Sequence, residues 1–204
     1  MLDSLDRTRP LLASTALKAQ WDEPSGLALL SVAGLAGHLV RAATSVEGYL
    51  EADEPDAAAI GPDEYYLTLQ LSSDPDDATN RGIRQRGLAA AAEGVEALLG
   101  TFEHSASRLR RRFDEEAPDR LVTVAGGLVL TLDAYLVTRL VELLVHADDL
   151  AQSIHVDTPA YSPEAHAVVR CCLVGVALGR SGELGVLRAL TRRERDPEDA
   201  LRVF

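Results

Sequence analysis

One helix of this chain is apolar on nearly every side and still carries charges, and that combination restricts the folds open to it. Residues 132–150 read LDAYLVTRLVELLVHADDL, with leucine and valine around almost the whole helical circumference. Such a pattern is typical of a buried helix. Arg139, Glu142, His146 and Asp149 are spaced three, four and three residues apart, so they lie on one face. Because burial of an ionised group costs several kcal/mol unless the group is paired or bound to a metal, this charged face requires partners.

Two kinds of partner would satisfy the charged face. In a structural network, Arg139 pairs with Glu142, and His146 forms a hydrogen bond within the core. In a metal site, Glu142 and His146 lie one turn apart and offer an oxygen and a nitrogen to the same ion. A metal site needs at least one further ligand from another helix, and this helix alone does not decide between the two explanations.

Four other histidines could supply that ligand. His38 stands among small and apolar residues in Gly34-Leu-Ala-Gly37-His38, near the start of a predicted helix. Each glycine there weakens a helix by about 1 kcal/mol relative to alanine. Because glycine has no Cβ atom, close approach of a backbone or a ligand beside His38 would explain why both are present. A single helical histidine is also more often a core residue than a ligand. The other three are predicted to lie at the surface: His104, His155 and His166.

Apolar periodicity predicts a bundle of long helices. The predicted helices cover residues 3–20, 32–52, 77–116, 132–153 and 162–178. A short helix near residue 185 and a charged tail are expected to follow. Ser31 is the expected N-cap of the second helix, and the segment 121–131 is either a small hairpin or an extended lead-in. Residues 41–81 are acidic and contain prolines, which predicts a solvated connection with a short ordered piece at 64–71. Four long helices with some long connections are typical of an all-α bundle.

Composition excludes several classes of partner. The net charge of −12 repels a nucleic-acid backbone, and an aromatic content of 4% leaves little for base stacking. The apolar run 121–145 is interrupted by charges and no secretory signal is visible, so neither a membrane span nor export is expected. Cys171 and Cys172 are adjacent and close no useful disulfide loop, which favours a cytoplasmic location. Their apolar neighbours predict that both lie in the core.

Three sequence elements together resemble a known family. They are Trp21-Asp-Glu-Pro-Ser25, Leu35-Ala-Gly-His38-Leu39 and the Arg-x-x-Glu-x-x-x-His-x-x-Asp pattern of residues 139–149. The chain resembles the maleylpyruvate isomerase N-terminal domain proteins, the mycothiol-dependent branch of the DinB-like four-helix metalloproteins. The segments 187–194 and 200–204 are similar to the ends of related actinobacterial proteins. Leu30 and Gly34 depart from the family, which usually has an aromatic and an acidic residue at these positions.

The resemblance implies a fold and a metal site. It implies an all-α, DinB-like four-helix bundle over residues 1–160, with a C-terminal helical extension over 161–204 packed on the bundle. It assigns His38, Glu142 and His146 as ligands of a divalent metal, usually taken as zinc. Asp149 would steer an imidazole or cap the helix end.

The resemblance also implies an activity. Mycothiol, a low-molecular-weight thiol, would act as a metal-bound thiolate on a small electrophilic substrate, giving thiol transfer or isomerisation. The alternative is a non-catalytic, metal-stabilised bundle that acts through protein contacts. Bundles of such apolar helices often dimerise, which allows a homodimer. Arg139 could neutralise Glu142 or face a substrate carboxylate. Weaker candidates for anionic contact lie at the start of the predicted helix over 77–116: Asn80, Arg81 and Arg84.

Overall fold

Four helices form the bundle at the centre of the protein. The structure, a computed structural model, describes residues 1–69, 74, 76–194 and 197–202. The bundle helices are α1 (Leu2–Leu12), α3 (Val32–Leu50), α6 (Val95–Glu115) and α7 (Leu132–Ser153). Helices α3 and α1 each pack against both α6 and α7, which closes the four helices into a ring. The all-α, DinB-like bundle is therefore confirmed, and its interior is filled by aliphatic side chains such as Leu5, Leu35, Leu39, Leu109 and Leu143.

Side-chain caps begin the helices where the sequence predicts. The hydroxyl of Ser31 accepts a hydrogen bond from the Gly34 amide at 3.1 Å at the start of α3. Thr131 caps α7 in the same way through the Ala134 amide at 3.2 Å. Each such cap stabilises a helix by about 1 kcal/mol, because an otherwise unpaired amide gains an acceptor.

Two predicted helices are each divided in the structure. The first ends at Leu12, and Ser14 then caps a second helix, α2 (Thr15–Ala19). The predicted helix over 77–116 is likewise two helices, α5 (Ala78–Ala90) and α6. The prediction of one continuous helix is wrong because Gly94, with φ +92°, adopts a left-handed conformation that a helix interior does not allow.

The acidic connection has an ordered piece where the sequence predicts one, but it is less solvated than predicted. It contains helix α4 (Pro62–Leu69), whose Tyr65 and Tyr66 are buried. The last two residues of the ordered piece predicted over 64–71 lie outside the described residues.

Helix α4 rests on α8 (Pro163–Thr191) at two glycines of α8. A Cβ atom at Gly175 would lie 2.9 Å from Oδ2 of Asp63, and one at Gly179 would lie 2.4 Å from Cδ1 of Leu67. Helix α8 extends beyond its predicted end at residue 178 and bends at Gly182, where φ is +69°. A short helix α9 (Glu198–Leu201) packs on it.

A small hairpin links two bundle helices. Strands β1 (Leu121–Thr123) and β2 (Val129–Thr131) pair antiparallel, with Leu121 opposite Thr131. Of the two predicted forms of this segment, the hairpin is therefore the one observed. The guanidinium of Arg120, just before β1, donates to the carbonyls of Leu50 at 2.9 Å and Ala52 at 3.0 Å. These bonds tie the end of α3 to the strand pair that leads into α7.

The two cysteines lie on different sides of α8. Cys172 is buried, as predicted, whereas Cys171 is exposed, so the prediction that both are core residues is wrong for Cys171. The apolar neighbours Val168 and Val174 are exposed as well. Only one face of α8 packs against the other helices, so an apolar local sequence does not bury every residue of it. Among the described residues, no helix is long and apolar enough to cross a bilayer.

Candidate metal centre

The antiparallel packing of α3 against α7 brings the three predicted ligands together. Nε2 of His38 lies 3.2 Å from Oε2 of Glu142, and Nε2 of His146 lies 3.3 Å from the same oxygen. All three candidate ligand atoms fall within 4.8 Å of one another. The side chains are 19%, 19% and 20% exposed, so they are mostly buried but reachable from solvent.

Close helix crossing positions His38. Helix α5 crosses α3 so tightly that a Cβ atom at Gly37 would lie 2.0 Å from the carbonyl oxygen of Gly87. A Cβ atom at Gly87 would in turn lie 2.5 Å from the carbonyl oxygen of Gly34 and 3.4 Å from Cβ of His38. Gly37 therefore permits the approach of a backbone, whereas a Cβ atom at Gly34 would meet the side chains of Leu30 and Leu88. The α5 backbone covers one side of the histidine and restricts its position.

Asp149 orients the second histidine. Its Oδ2 lies 2.9 Å from Nδ1 of His146. A carboxylate can only accept a hydrogen bond, so Nδ1 carries the proton and Nε2 faces Glu142. A carboxylate behind a histidine is the usual arrangement for fixing an imidazole that binds a metal through its other nitrogen.

Tyr66 is a residue of the site that the sequence interpretation did not find. Its hydroxyl lies 3.0 Å from the carbonyl oxygen of Thr138 and 3.3 Å from Oε1 of Glu142, and both oxygens can accept its proton. Glu142 thus has one oxygen directed to Tyr66 and the other to the two histidines. The available signal was the Tyr65-Tyr66 pair, a pair of large aromatic rings in an otherwise polar acidic segment.

Electrostatics favour opposite charges on the two residues that α7 contributes. Burial alone would raise the pKa of Glu142, but hydrogen bonds from His146 and His38 outweigh it and hold that pKa well below its ordinary value. For His146, burial is outweighed by the bonds to Asp149 and Glu142, which raise its pKa to about 9. Burial lowers the pKa of His38, so that imidazole is neutral at neutral pH.

Arg139 does not form the direct ion pair with Glu142 that a structural network would require. Within the described residues, no carboxylate lies within 4.0 Å of its guanidinium. The guanidinium carbon lies 4.9 Å from the centre of the Tyr135 ring, and Nε donates to the Thr138 hydroxyl at 3.2 Å. Its charge acts on Glu142 at longer range, because both groups are buried in the same region.

The predicted contacts on α5 are engaged elsewhere. The Asn80 side chain donates to the backbone carbonyl of Asp74 at 2.8 Å, and the backbone N–H of Asn80 donates to the Asp77 carboxylate at 2.9 Å. Arg84 donates to Asp76 at 3.1 Å, and Arg81 also contacts Asp76. The remaining histidines are exposed, as the sequence predicts: His104, His155 and His166.

The donor set fits a divalent metal. Two imidazole nitrogens and one carboxylate oxygen are the ligands that zinc takes in open, three-residue protein sites. Two surface grooves of about 420 and 500 Å³ are lined by other residues. The candidate metal centre is therefore identified by its ligand atoms and not by the volume of a cavity.

One comparison with known proteins found a match. A family model described as the mycothiol maleylpyruvate isomerase N-terminal domain matches residues 2–151. The chain belongs to that family. The matched range includes His38, Glu142, His146 and Asp149, and it contains most of the four-helix bundle. Searches of curated proteins and of solved structures found no match.

Proposed function

We propose that this protein is a metal-dependent enzyme that uses mycothiol, or a related small thiol, in transfer to or isomerisation of a small electrophile. One observation carries the proposal: the nitrogens of His38 and His146 converge on one oxygen of Glu142. Membership of a family named for a mycothiol enzyme indicates the thiol.

In this proposal, His38, Glu142 and His146 hold the metal, for which zinc fits the two-nitrogen, one-oxygen donor set best. A divalent metal bound there would lower the pKa of a thiol and keep it as the reactive thiolate at neutral pH.

The surrounding residues keep the ligand atoms in place. Asp149 holds the imidazole of His146 with Nε2 inward, and Tyr66 holds one oxygen of Glu142 so that the other faces the histidines. Such partners outside the ligand set typically account for a 10- to 100-fold difference in metal affinity.

An open site supports catalysis over a purely structural role. Among the described residues, the cluster of potential ligands has three members, and the fourth neighbour, Asp149, is used by Nδ1 of His146. A structural zinc site usually has four protein ligands, whereas a catalytic one leaves a position for water or substrate. The partial exposure of all three side chains gives a small molecule access to that position.

Metal analysis followed by thiol titration tests the proposal. We expect the purified, metal-loaded protein to contain one divalent ion per chain and His146→Ala to lose it. The exposed His166 provides the matched control, and His166→Ala should keep the ion. Mycothiol should then bind the loaded protein, and in the presence of an electrophile it should either be consumed in an adduct or accelerate isomerisation of the electrophile without being consumed. The proposal would be overturned if the protein binds no metal, or if the metal-loaded protein does not bind thiols. The second result would favour the non-catalytic bundle.

A further inference from the structure

Two buried side-chain oxygens beside one surface groove have no hydrogen-bond partner among the described residues. They are Oε1 of Glu47 on α3 and Oγ of Ser105 on α6. Ser105 is only 3% exposed. Nearly all buried polar groups in folded proteins form a hydrogen bond, so a pair of unsatisfied oxygens at one groove requires an explanation.

The groove lies between α3 and α6 and brings the two residues together. It has a volume of about 420 Å³, and both Glu47 and Ser105 line it. Ser105 lies three residues before Arg108, whose Nε is 3.1 Å from Oε2 of Glu47. Residues three apart on a helix are neighbours, so the Ser105 side chain lies beside the Glu47–Arg108 ion pair. The volume is within the range of about 300–1,000 Å³ that is typical of small-molecule sites.

This groove is separate from the candidate metal centre. Glu47 follows His38 by nine residues, or about two and a half helical turns, so the two side chains lie on opposite sides of α3. The described residues that line the groove include none of the three candidate metal ligands. A ligand in the groove therefore does not compete with the metal.

Negative charge exceeds positive charge beside the groove. Nε of Arg108 lies 3.1 Å from Oε2 of Glu47, and Nη2 of Arg108 lies 3.5 Å from Oε1 of Glu51. One guanidinium is thus shared by two carboxylates. Among the described residues that line the groove, none is a lysine or an arginine. The local charge favours a cation in the groove.

The polar groups of the groove are suited to accept hydrogen bonds. A carboxylate oxygen can only accept. The hydroxyl of Thr101 donates its proton to the carbonyl of Ala97 at 3.0 Å, so its oxygen keeps lone pairs for a ligand. The Glu47 carboxylate turns about its terminal torsion and the Ser105 hydroxyl about one bond, so both can present an oxygen to the groove. A primary ammonium has three N–H donors, which match one carboxylate and two hydroxyl oxygens.

We propose that this groove is a second binding site, which takes a small organic cation with a primary ammonium group. The ammonium donates to Oε1 of Glu47 and to the hydroxyl oxygens of Thr101 and Ser105. A short alkyl chain then lies along the groove wall that Ala97 and Gly100 form. The site goes beyond the proposed function, because it involves neither the metal nor the thiol.

An NMR titration of the full chain with butylammonium tests the site. We expect saturable shifts of the backbone amides around Glu47 and Ser105, with a Kd of about 1–10 mM. Two probes serve as controls: 1-butanol has no charge, and tetramethylammonium has the charge but no N–H donor. Both should shift these amides much less. A metal chelator should leave the Kd for butylammonium unchanged, because the groove contains no candidate metal ligand.

One pair of variants tests the charge. Glu47→Gln keeps the shape of the side chain and removes its charge, so the Kd should rise about 10-fold or more. Ser105→Ala removes one acceptor and should raise the Kd about 5-fold. Glu115 is an exposed carboxylate of the same helix outside the groove lining, and Glu115→Gln should leave the Kd unchanged.

A second pair tests the space. Gly100 lines the groove and has nothing within 4 Å of its Cβ position, so Gly100→Leu should fold and fill the groove, which removes binding. Gly48 also has nothing within 4 Å of its Cβ position but does not line the groove, so Gly48→Leu should bind as the wild type does. If Glu47→Gln lowers the melting temperature, this pair decides the result.

The outcomes distinguish this site from the proposed function. The site is overturned if no saturable shifts occur around the groove, if tetramethylammonium binds as well as butylammonium, or if Gly100→Leu keeps the wild-type Kd. None of these results concerns the metal or the thiol. Binding of butylammonium in the groove of a protein that takes up no metal would retain the site and overturn the proposed function.

Discussion

The carboxylate of Asp149 and the imidazole of His146 are joined by a hydrogen bond of 2.9 Å, on the side of the ring opposite Glu142. One histidine on α7 thus has a carboxylate at each of its nitrogens. A positive imidazolium satisfies both carboxylates in the metal-free protein, and a metal would replace the proton on the Glu142 side. The charged face that the sequence places on a buried helix is therefore compensated in either state.

Asp149→Asn should weaken metal binding without removing a ligand. The neutral amide is a poorer acceptor for the proton on Nδ1, so the ring is held less firmly and its other nitrogen is less basic. We expect the Kd for the metal to rise 10- to 100-fold in competition with a chromophoric chelator. Asp148 is the matched control, because it is exposed and bonds to Thr158. Equal affinities for both variants would show that Asp149 does not orient His146.

Tyr66→Phe should affect stability and metal affinity together. Loss of the hydroxyl removes a hydrogen bond to Thr138 and Glu142, which we expect to lower the free energy of unfolding by about 1 kcal/mol. The Kd for the metal should rise because Glu142 is freer to rotate. Tyr161 is also buried and bonds to the Thr8 hydroxyl at 2.8 Å. Tyr161→Phe should therefore give a similar loss of stability in urea unfolding with an unchanged Kd.

The stability of the metal-free protein should decrease as pH rises. The pKa of His146 is raised from 6.5 to about 9, so the folded state binds this proton more tightly than the unfolded state. The resulting stabilisation is complete below about pH 6.5 and is lost as pH rises through about 9, amounting to about 3 kcal/mol at most. Urea unfolding at several pH values should show this slope in the wild type and a smaller one in His146→Gln. Identical slopes would mean that the histidine is not held as an imidazolium.

Gly37→Ala should destabilise the crossing of α3 and α5. The added Cβ atom would lie 2.0 Å from the Gly87 carbonyl oxygen, so the helices must separate, at a cost of about 3 kcal/mol or more. Gly48 lies on the same helix with nothing within 4 Å of its Cβ position. Gly48→Ala should instead stabilise the protein by about 0.5–1 kcal/mol through helix propensity. Thermal unfolding of both variants distinguishes packing from propensity.

Local patterns were sufficient for the features that one helix can encode. The spacing of Glu142, His146 and Asp149 places them on one face of α7 whatever the rest of the chain does, because helical periodicity fixes it. The glycines beside His38 were likewise a usable signal, since only a close neighbour explains two of them in a packed helix. The sequence alone could not say that this neighbour is the backbone of α5.

Features that depend on tertiary contacts could not be predicted from the sequence. Residues 92–94 resemble a helix interior in composition, and only the positive φ of Gly94 divides α5 from α6. Tyr66 lies in a segment whose charges predict solvation. Its role depends on a contact with Glu142, which lies 76 residues further along the chain. Cys171 shows the reverse error, because its apolar sequence predicts burial, whereas only one side of the helix is covered.

Helix α4 packs on α8, so the part of the chain that supports the candidate metal centre extends beyond the part that matches the family. Helix α4 brings Tyr66 to Glu142, and it rests on Gly175 and Gly179 of a helix that begins at Pro163. The family match ends at residue 151. A fragment cut at that boundary would retain every candidate ligand and lose the surface that supports one of their partners, so the downstream helix belongs to the architecture of the site.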